Sequence, residues 1–123
     1  MQINARFLVY GVFLVLWAAL GAAQQEEVFN VDIKNRKVAG GEKVIRVKQG
    51  DTVKINWTTD EAAEIHLHGY DVKRALKPGK TASITFKAHA TGRFSIVSHG
   101  FGKHSHGKDE EEISLLYLEV HPR

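Results

Sequence analysis

The sequence contains no cysteine, and this absence excludes disulfide bonds and every metal site that requires a thiolate ligand. Methionine occurs once, as Met1, so a Cu(I) site made of thioether groups is excluded as well. Any metal site in this protein must therefore be made of imidazole and carboxylate groups.

A strong excess of charge of either sign is also missing. The chain has 17 lysine and arginine residues against 14 aspartate and glutamate residues, a formal net charge of +3. An excess this small is not typical of nucleic-acid-binding proteins, which carry clustered positive charge. We therefore predict that nucleic acid is not a partner.

The N-terminal segment has the features of a secretory signal peptide. A polar start precedes an apolar run over residues 7–20, and small residues occupy the −3 and −1 positions of a cut before Gln24. The run is shorter than the roughly 20 residues that a membrane-spanning helix needs. We predict a signal peptide over residues 1–23, a secreted domain over 24–123, and no stable membrane span after cleavage. An uncleaved membrane anchor is the alternative.

The rest of the chain shows no sustained helical period and no internal repeat. Apolar and polar residues alternate instead, as in the segment DTVKINW, where Val53, Ile55 and Trp57 share one face. Turn signals such as KPGK at 77–80 separate these segments. Seven or eight short strands in about 100 residues predict an all-β fold, a Greek-key β-sandwich or small barrel. The final run, ISLLYLEVHP, is apolar on both faces and is predicted to be a central strand.

The order of these segments resembles the cupredoxin family. The similarity is carried by VIRVKQGDTVKINW, HLHGYDV, KPGKTASITFKA, TGRFSIVSH and LLYLEVHP, which together span about residues 28–122. The resemblance implies the cupredoxin form of the β-sandwich, and it places His68 on the family's first histidine ligand and Ser98 on its cysteine ligand. The family's exported bacterial members are the most similar, which implies a periplasmic location.

Serine at position 98 changes what the resemblance implies for function. A blue copper site depends on a covalent bond between copper and a thiolate, and a serine hydroxyl cannot replace it. The binuclear copper site of respiratory oxidases needs two cysteines. Electron transfer through either kind of site is therefore excluded.

Imidazole is the metal ligand that remains in quantity, and it suits Cu(II), Zn(II) and Ni(II). His66 and His68 are two residues apart, so on a strand they point to the same face. The family resemblance places the histidine-rich loop after Ser98 at the same end of the domain. We predict a metal site that holds copper as Cu(II), with zinc as the alternative, and that draws on His66, His68, His99, His104 and His106.

Other interpretations of these residues stay open. His66 and His68 can occupy a solvent-facing strand surface, and His104 and His106 can lie in a solvated loop. His99 is predicted to point away from the family's copper pocket, because strand neighbours face opposite sides. The run from Asp109 to Glu112 is predicted to be solvated, and His89 and His121 are predicted to be surface residues.

Three hypotheses for function follow. The first is an exported protein that binds or buffers Cu(II) or Zn(II), or delivers it to an exported or membrane-bound partner protein, and that is not an enzyme. The second is a metal-free module that binds a protein or a small ligand. The third is an enzyme with type 2 copper. Hydrolase chemistry is disfavoured because the sequence has no G-x-S-x-G motif and because Ser98 and His99 are predicted to face opposite sides.

Overall fold

The computed structural model describes residues 25–101 and 111–123. The predicted all-β architecture is confirmed, since within these residues the only helix is a single 3-10 turn at Ala39–Gly41. No helix in the described ranges has the length and apolar character that crossing a membrane requires. The strands are β1 Glu26–Lys34, β2 Lys37–Val38, β3 Val44–Lys48, β4 Thr52–Thr59, β5 Ala63–Leu67, β6 Val72–Leu76, β7 Ala82–Lys87, β8 Gly92–His99 and β9 Ile113–His121.

The strands form two sheets that face each other. One sheet has the order β2-β1-β4-β7 and the other the order β3-β9-β8-β5-β6. Neighbours are antiparallel except for two parallel pairs, β1 with β4 and β3 with β9. The chain crosses from one sheet to the other after β2, β3, β4, β6 and β7, which ties both sheets into one sandwich. β9 lies between β3 and β8, so the prediction that the final strand is central is confirmed.

The core lies between the two sheets and follows the two-residue alternation of the sequence. Trp57, Ile33 and Ile65 are each at most 1% exposed. Burial of one such large apolar side chain stabilises the fold by about 1.5–3 kcal/mol. The remaining members of the core cluster come from both sheets: Val31, Ile45, Val47, Val53, Ile55, Leu67, Leu76, Ala82, Ile84, Phe86, Ala88, Ile96, Leu115, Leu116, Leu118 and Val120.

Residues 25–101 and 111–123 form nine strands, where the sequence predicted seven or eight. One addition is β2, which is only two residues long. The other arises because the run AEIHLHGYDV is not one strand but two, separated by a turn at residues 68–71. Gly69 (φ +86°) and Asp71 (φ +54°) both adopt left-handed backbone angles there, which ends β5 and starts the return strand β6.

Glycine is required at position 69 for a second reason. A Cβ atom at this position would lie 2.5 Å from Cδ1 of Phe94, a distance that atoms of this kind do not tolerate. Tyr70 fixes the other side of the turn, because its hydroxyl donates a hydrogen bond of 2.8 Å to the carbonyl oxygen of Ala90. The turn that carries His68 is thus held against β8 and the loop before it.

Candidate metal centre

The outer face of the five-stranded sheet carries the histidines of β5 and β8. Ile65 and Leu67 point into the core, so the residues between and beside them on β5 point outward. β8 runs antiparallel to β5, with Glu64 opposite His99 and His66 opposite Val97. His66 and His99 are therefore diagonal neighbours on one face, a separation that long side chains can bridge.

His68 joins this pair although it lies one residue beyond the end of β5. Its backbone N–H donates a hydrogen bond of 3.0 Å to the carbonyl oxygen of Ser95, which keeps it beside β8. The ring centroid of His66 lies 4.2 Å from that of His68 and 5.8 Å from that of His99. One ligand nitrogen from each ring lies within 4.8 Å of the others. We call His66, His68 and His99 the histidine triad.

A carboxylate lies beside two members of the triad. One oxygen of Glu112 is 3.6 Å from Nε2 of His68, and the other is 3.7 Å from Nε2 of His99. The sequence interpretation assigned Glu112 to a solvated charge run and therefore missed this proximity. Nothing in the local sequence distinguishes Glu112 from the acidic residues before it, so only the pairing of β8 with β9 could have revealed it.

The surroundings of His66 favour its neutral imidazole. Burial lowers the pKa of His66, and the nearby charges of His68, Lys73 and His99 lower it further against the opposing effect of Asp71. A histidine binds metal through an unprotonated ring nitrogen, so a lowered pKa keeps His66 available as a ligand in more acidic solution.

One ring nitrogen of the triad has no partner of its own. The side chain of His68 is 41% exposed, yet its Nε2 atom is buried and has no hydrogen-bond partner among the described residues. A buried polar atom without a partner lowers stability unless another group or an ion satisfies it. The carboxylate of Glu112 is close to this atom but too far away for a hydrogen bond.

The position that the family resemblance assigns to cysteine lies on the other side of the sheet. Ser98 is paired with Ile65, is completely buried, and has no hydrogen-bond partner for its hydroxyl among the described residues. His99 faces outward, as predicted, so this serine and histidine cannot act together as nucleophile and base. A hydroxyl in this place does not fit type 1 copper.

The structure brings together three of the five predicted ligands. The other two, His104 and His106, lie outside the described residues, and their participation stays a prediction. His89 and His121 are exposed, as predicted. The ring of His89 packs against Tyr70 at 4.9 Å between centroids, and Nε2 of His121 is 4.0 Å from a Glu119 oxygen.

Comparison with known families agrees with this architecture. The family model described as "Cupredoxin-like domain" matches residues 7–108, most of the chain. The chain belongs to this family. No curated protein matches the sequence at a significant level.

Solved structures of cupredoxin-like proteins share the fold at low sequence identity. A heme-copper terminal oxidase is 19% identical with a TM-score of 0.55, over 78% of this chain and 67% of that one. The multicopper oxidase mgLAC is 18% identical with a TM-score of 0.62, over 80% of this chain and 39% of that one. A copper binding protein in its apo form is 14% identical with a TM-score of 0.56, over 77% of this chain and 87% of that one.

These identities establish a common fold and nothing finer. This cupredoxin-like chain spans only about two fifths of the multicopper oxidase that it matches. The three proteins include enzymes as well as a protein described only as copper binding. The function of this chain must therefore be argued from its own residues.

Proposed function

We propose that the protein binds Cu(II) or Zn(II) through the histidine triad and buffers or delivers that ion, without blue copper electron transfer. The observation that carries this proposal is the convergence of three imidazoles, with ligand nitrogens within 4.8 Å of one another. Three protein ligands with a further position for a fourth group is an arrangement that zinc and type 2 copper both adopt.

The location of the triad favours binding and exchange over catalysis. His68 and His99 are 41% and 21% exposed on the outer face of a sheet, where a partner protein can reach an ion directly. An enzyme usually surrounds its substrate in a concave pocket that excludes water. A partly exposed site on the face of a sheet instead suits transfer of an ion to an exported or membrane-bound partner.

Export is part of the same proposal. The apolar run at residues 7–20 and the small residues before Gln24 support secretion to the periplasm followed by cleavage. We expect the mature protein recovered from a bacterial periplasm to begin at Gln24. Intact-mass spectrometry tests this, and a mass that retains residues 1–23 would indicate the uncleaved anchor.

The decisive experiment is a titration of the tagless protein with Cu(II) at neutral pH, followed by electron paramagnetic resonance (EPR) of the frozen samples. We expect one equivalent of bound copper, an axial spectrum with nitrogen hyperfine structure, and no intense blue colour. His66→Ala and His68→Ala should each weaken binding at least tenfold, on the order of the losses seen when metal sites are disturbed. His121→Ala is the matched control, because His121 is exposed at the opposite end of β9 from Glu112.

The metal-free module is the second candidate, and the buried serine favours it. The resemblance places the family's thiolate ligand at position 98, where this chain has a buried serine. A fold can keep its scaffold for binding proteins or small ligands after its metal site is lost. A spectrum of loosely bound copper, unchanged by the triad substitutions, would support this candidate and eliminate the first.

A further inference from the structure

The Glu112 carboxylate lies close to two histidines of the triad but does not form a hydrogen bond with either. The two N···O distances, 3.6 and 3.7 Å, exceed the range of a hydrogen bond, about 2.7–3.2 Å. Two ligands that bind one ion tetrahedrally at about 2.0–2.2 Å lie about 3.3–3.6 Å apart. One oxygen of Glu112 is thus at this ligand spacing from Nε2 of His68, and its other oxygen, at 3.7 Å, lies just beyond it from Nε2 of His99.

The backbone places Glu112 there through an irregularity in the sheet. β8 and β9 pair in regular register up to Ile96 with Leu116, after which the register shifts and Val97 lies opposite Ser114. This shift accommodates one extra residue on β9. Each β9 residue before the shift therefore lies on the opposite face of the sheet from the one that a regular ladder would give it. A regular ladder would put Ile113 opposite His99.

The observed register has a direct consequence for the outer face. Ile113 is paired with Ser98 on the inner side of the sheet and packs partly buried against the core. The residue before it, Glu112, consequently comes beside His99 on the outer side. The position of this carboxylate is therefore set by the core packing of its neighbour as well as by its own side-chain conformation.

The orphaned nitrogen of His68 is the second, independent observation. Nε2 of His68 is buried without a partner among the described residues, and it is the atom that faces the Glu112 carboxylate. A cation between the two would satisfy the nitrogen and neutralise the carboxylate at once. An unfilled arrangement leaves the nitrogen unsatisfied, which is unfavourable.

We infer that Glu112 is the fourth ligand of the metal site and that its carboxylate selects divalent Cu(II) or Zn(II) over Cu(I). The inference rests on the proposed function, because it concerns the same ion. A carboxylate is a hard, anionic ligand that suits divalent ions, whereas Cu(I) prefers soft sulfur ligands. Three imidazoles alone discriminate less between the two oxidation states of copper than three imidazoles with a carboxylate.

Glu112→Gln tests this inference, with Glu111→Gln as the matched control. Both changes remove one negative charge from adjacent exposed residues, but of the two only Glu112 has an oxygen within 4.0 Å of a triad nitrogen. Affinities of the tagless protein for Cu(II), Zn(II) and Cu(I) are measured by competition with chromophoric chelators. We expect Glu112→Gln to weaken Cu(II) and Zn(II) binding about tenfold or more. Cu(I) affinity should change by less than about threefold, and Glu111→Gln should leave all three affinities within about twofold.

EPR gives a readout that a general loss of charge would not change. The Cu(II) spectrum of Glu112→Gln should differ from that of the parent protein, and the spectrum of Glu111→Gln should not. Equal affinities and identical spectra for the two variants would overturn the role of Glu112 while the triad site survives. If the parent protein binds no ion, the proposed function fails and this inference fails with it. Thermal unfolding of the metal-free variants confirms that both are folded.

Discussion

Ser98 and His99 are adjacent on β8, yet they belong to two different regions of the molecule. Ser98 lies inside the sandwich, completely buried, where the family resemblance places a copper-binding cysteine. His99 lies outside, with two more histidines and a carboxylate around it. Because strand residues alternate between faces, one strand can lose a ligand on its inner side while its outer side gathers a different set. In this protein the inner region has a serine at that position, and the outer region has a cluster of side chains that could bind a metal.

The turn at residues 68–71 connects the two regions, so disturbing it should have the largest effect on both. Gly69→Ala introduces a Cβ against Phe94 and strains a left-handed residue, which should cost about 3 kcal/mol of unfolding free energy. Metal binding by the triad should weaken too, because His68 moves with the turn. Urea denaturation and Cu(II) titration measure the two effects.

Gly79→Ala is the control for this turn. Gly79 also has a left-handed φ of +77°, but nothing lies within 4 Å of the Cβ that alanine would add. Its substitution should cost only about 1 kcal/mol, the strain of the backbone alone. Equal losses for Gly69→Ala and Gly79→Ala would contradict the close packing of the turn on Phe94.

The inner region can be tested separately by removing the Ser98 hydroxyl, for which the described part of the chain provides no hydrogen-bond partner. Ser98→Ala should raise the unfolding free energy by about 1 kcal/mol, because a buried hydroxyl without a partner is destabilising. Metal affinity should not change. Ser95→Ala, on the same strand but half-buried and opposite Tyr117, should leave stability within about 0.5 kcal/mol. A loss of stability in Ser98→Ala would show that the hydroxyl is satisfied.

A smaller effect on stability is expected from the surface ion pair between Arg36 and Glu61, which lies near the end of β8. Arg36 donates hydrogen bonds of 3.1 and 2.9 Å to Glu61, and its guanidinium lies 5.4 Å from the ring centroid of Phe101. The hydrogen bond from Arg36 lowers the pKa of Glu61 below its ordinary value of 4.5. The Glu61 carboxyl therefore loses its proton more readily in the folded state than in the unfolded state. The ion pair with Arg36 stabilises the fold above pH 4.5, and this stabilisation is lost as the pH falls through the lowered pKa of Glu61.

Glu61→Gln should accordingly lower the melting temperature slightly at pH 7 and by less at pH 3. Scanning calorimetry at both pH values measures the difference. Glu42→Gln, which removes another exposed carboxylate, is the comparison variant. A difference between Glu61→Gln and the parent that is the same at pH 3 and pH 7 would show that the pair does not act through its charge.

The distinction between the inner region and the outer region is tested by a substitution that should leave the copper spectrum unchanged. Ser98→Cys restores a thiol at the family's cysteine position, but that position faces the core while the triad faces outward. We expect the variant to bind Cu(II) as the parent does, without an intense blue absorption band. A blue protein would demonstrate that the inner and outer regions share an ion, and it would end the distinction between them.

Much of the fold could be predicted from local patterns. The alternation of Val53, Ile55 and Trp57 predicted a strand with one buried face, and the structure confirms β4. The apolar run in the final segment predicted a central strand, which β9 is. The split of β5 from β6 was not predicted, because apolar and polar residues alternate on both sides of Gly69 and Asp71, although both residue types favour the left-handed angles found there.

Some features of the candidate site could likewise be predicted from local sequence, and others could not. The spacing of His66 and His68 and the opposition of Ser98 and His99 follow from the two-residue period of a strand, so the sequence by itself determined them. That β5 lies beside β8, and that a register shift turns Glu112 outward next to His99, was decided only by the tertiary structure. The physical reason is that strand periodicity is local, whereas strand pairing and register depend on how residues distant in sequence fill a common core.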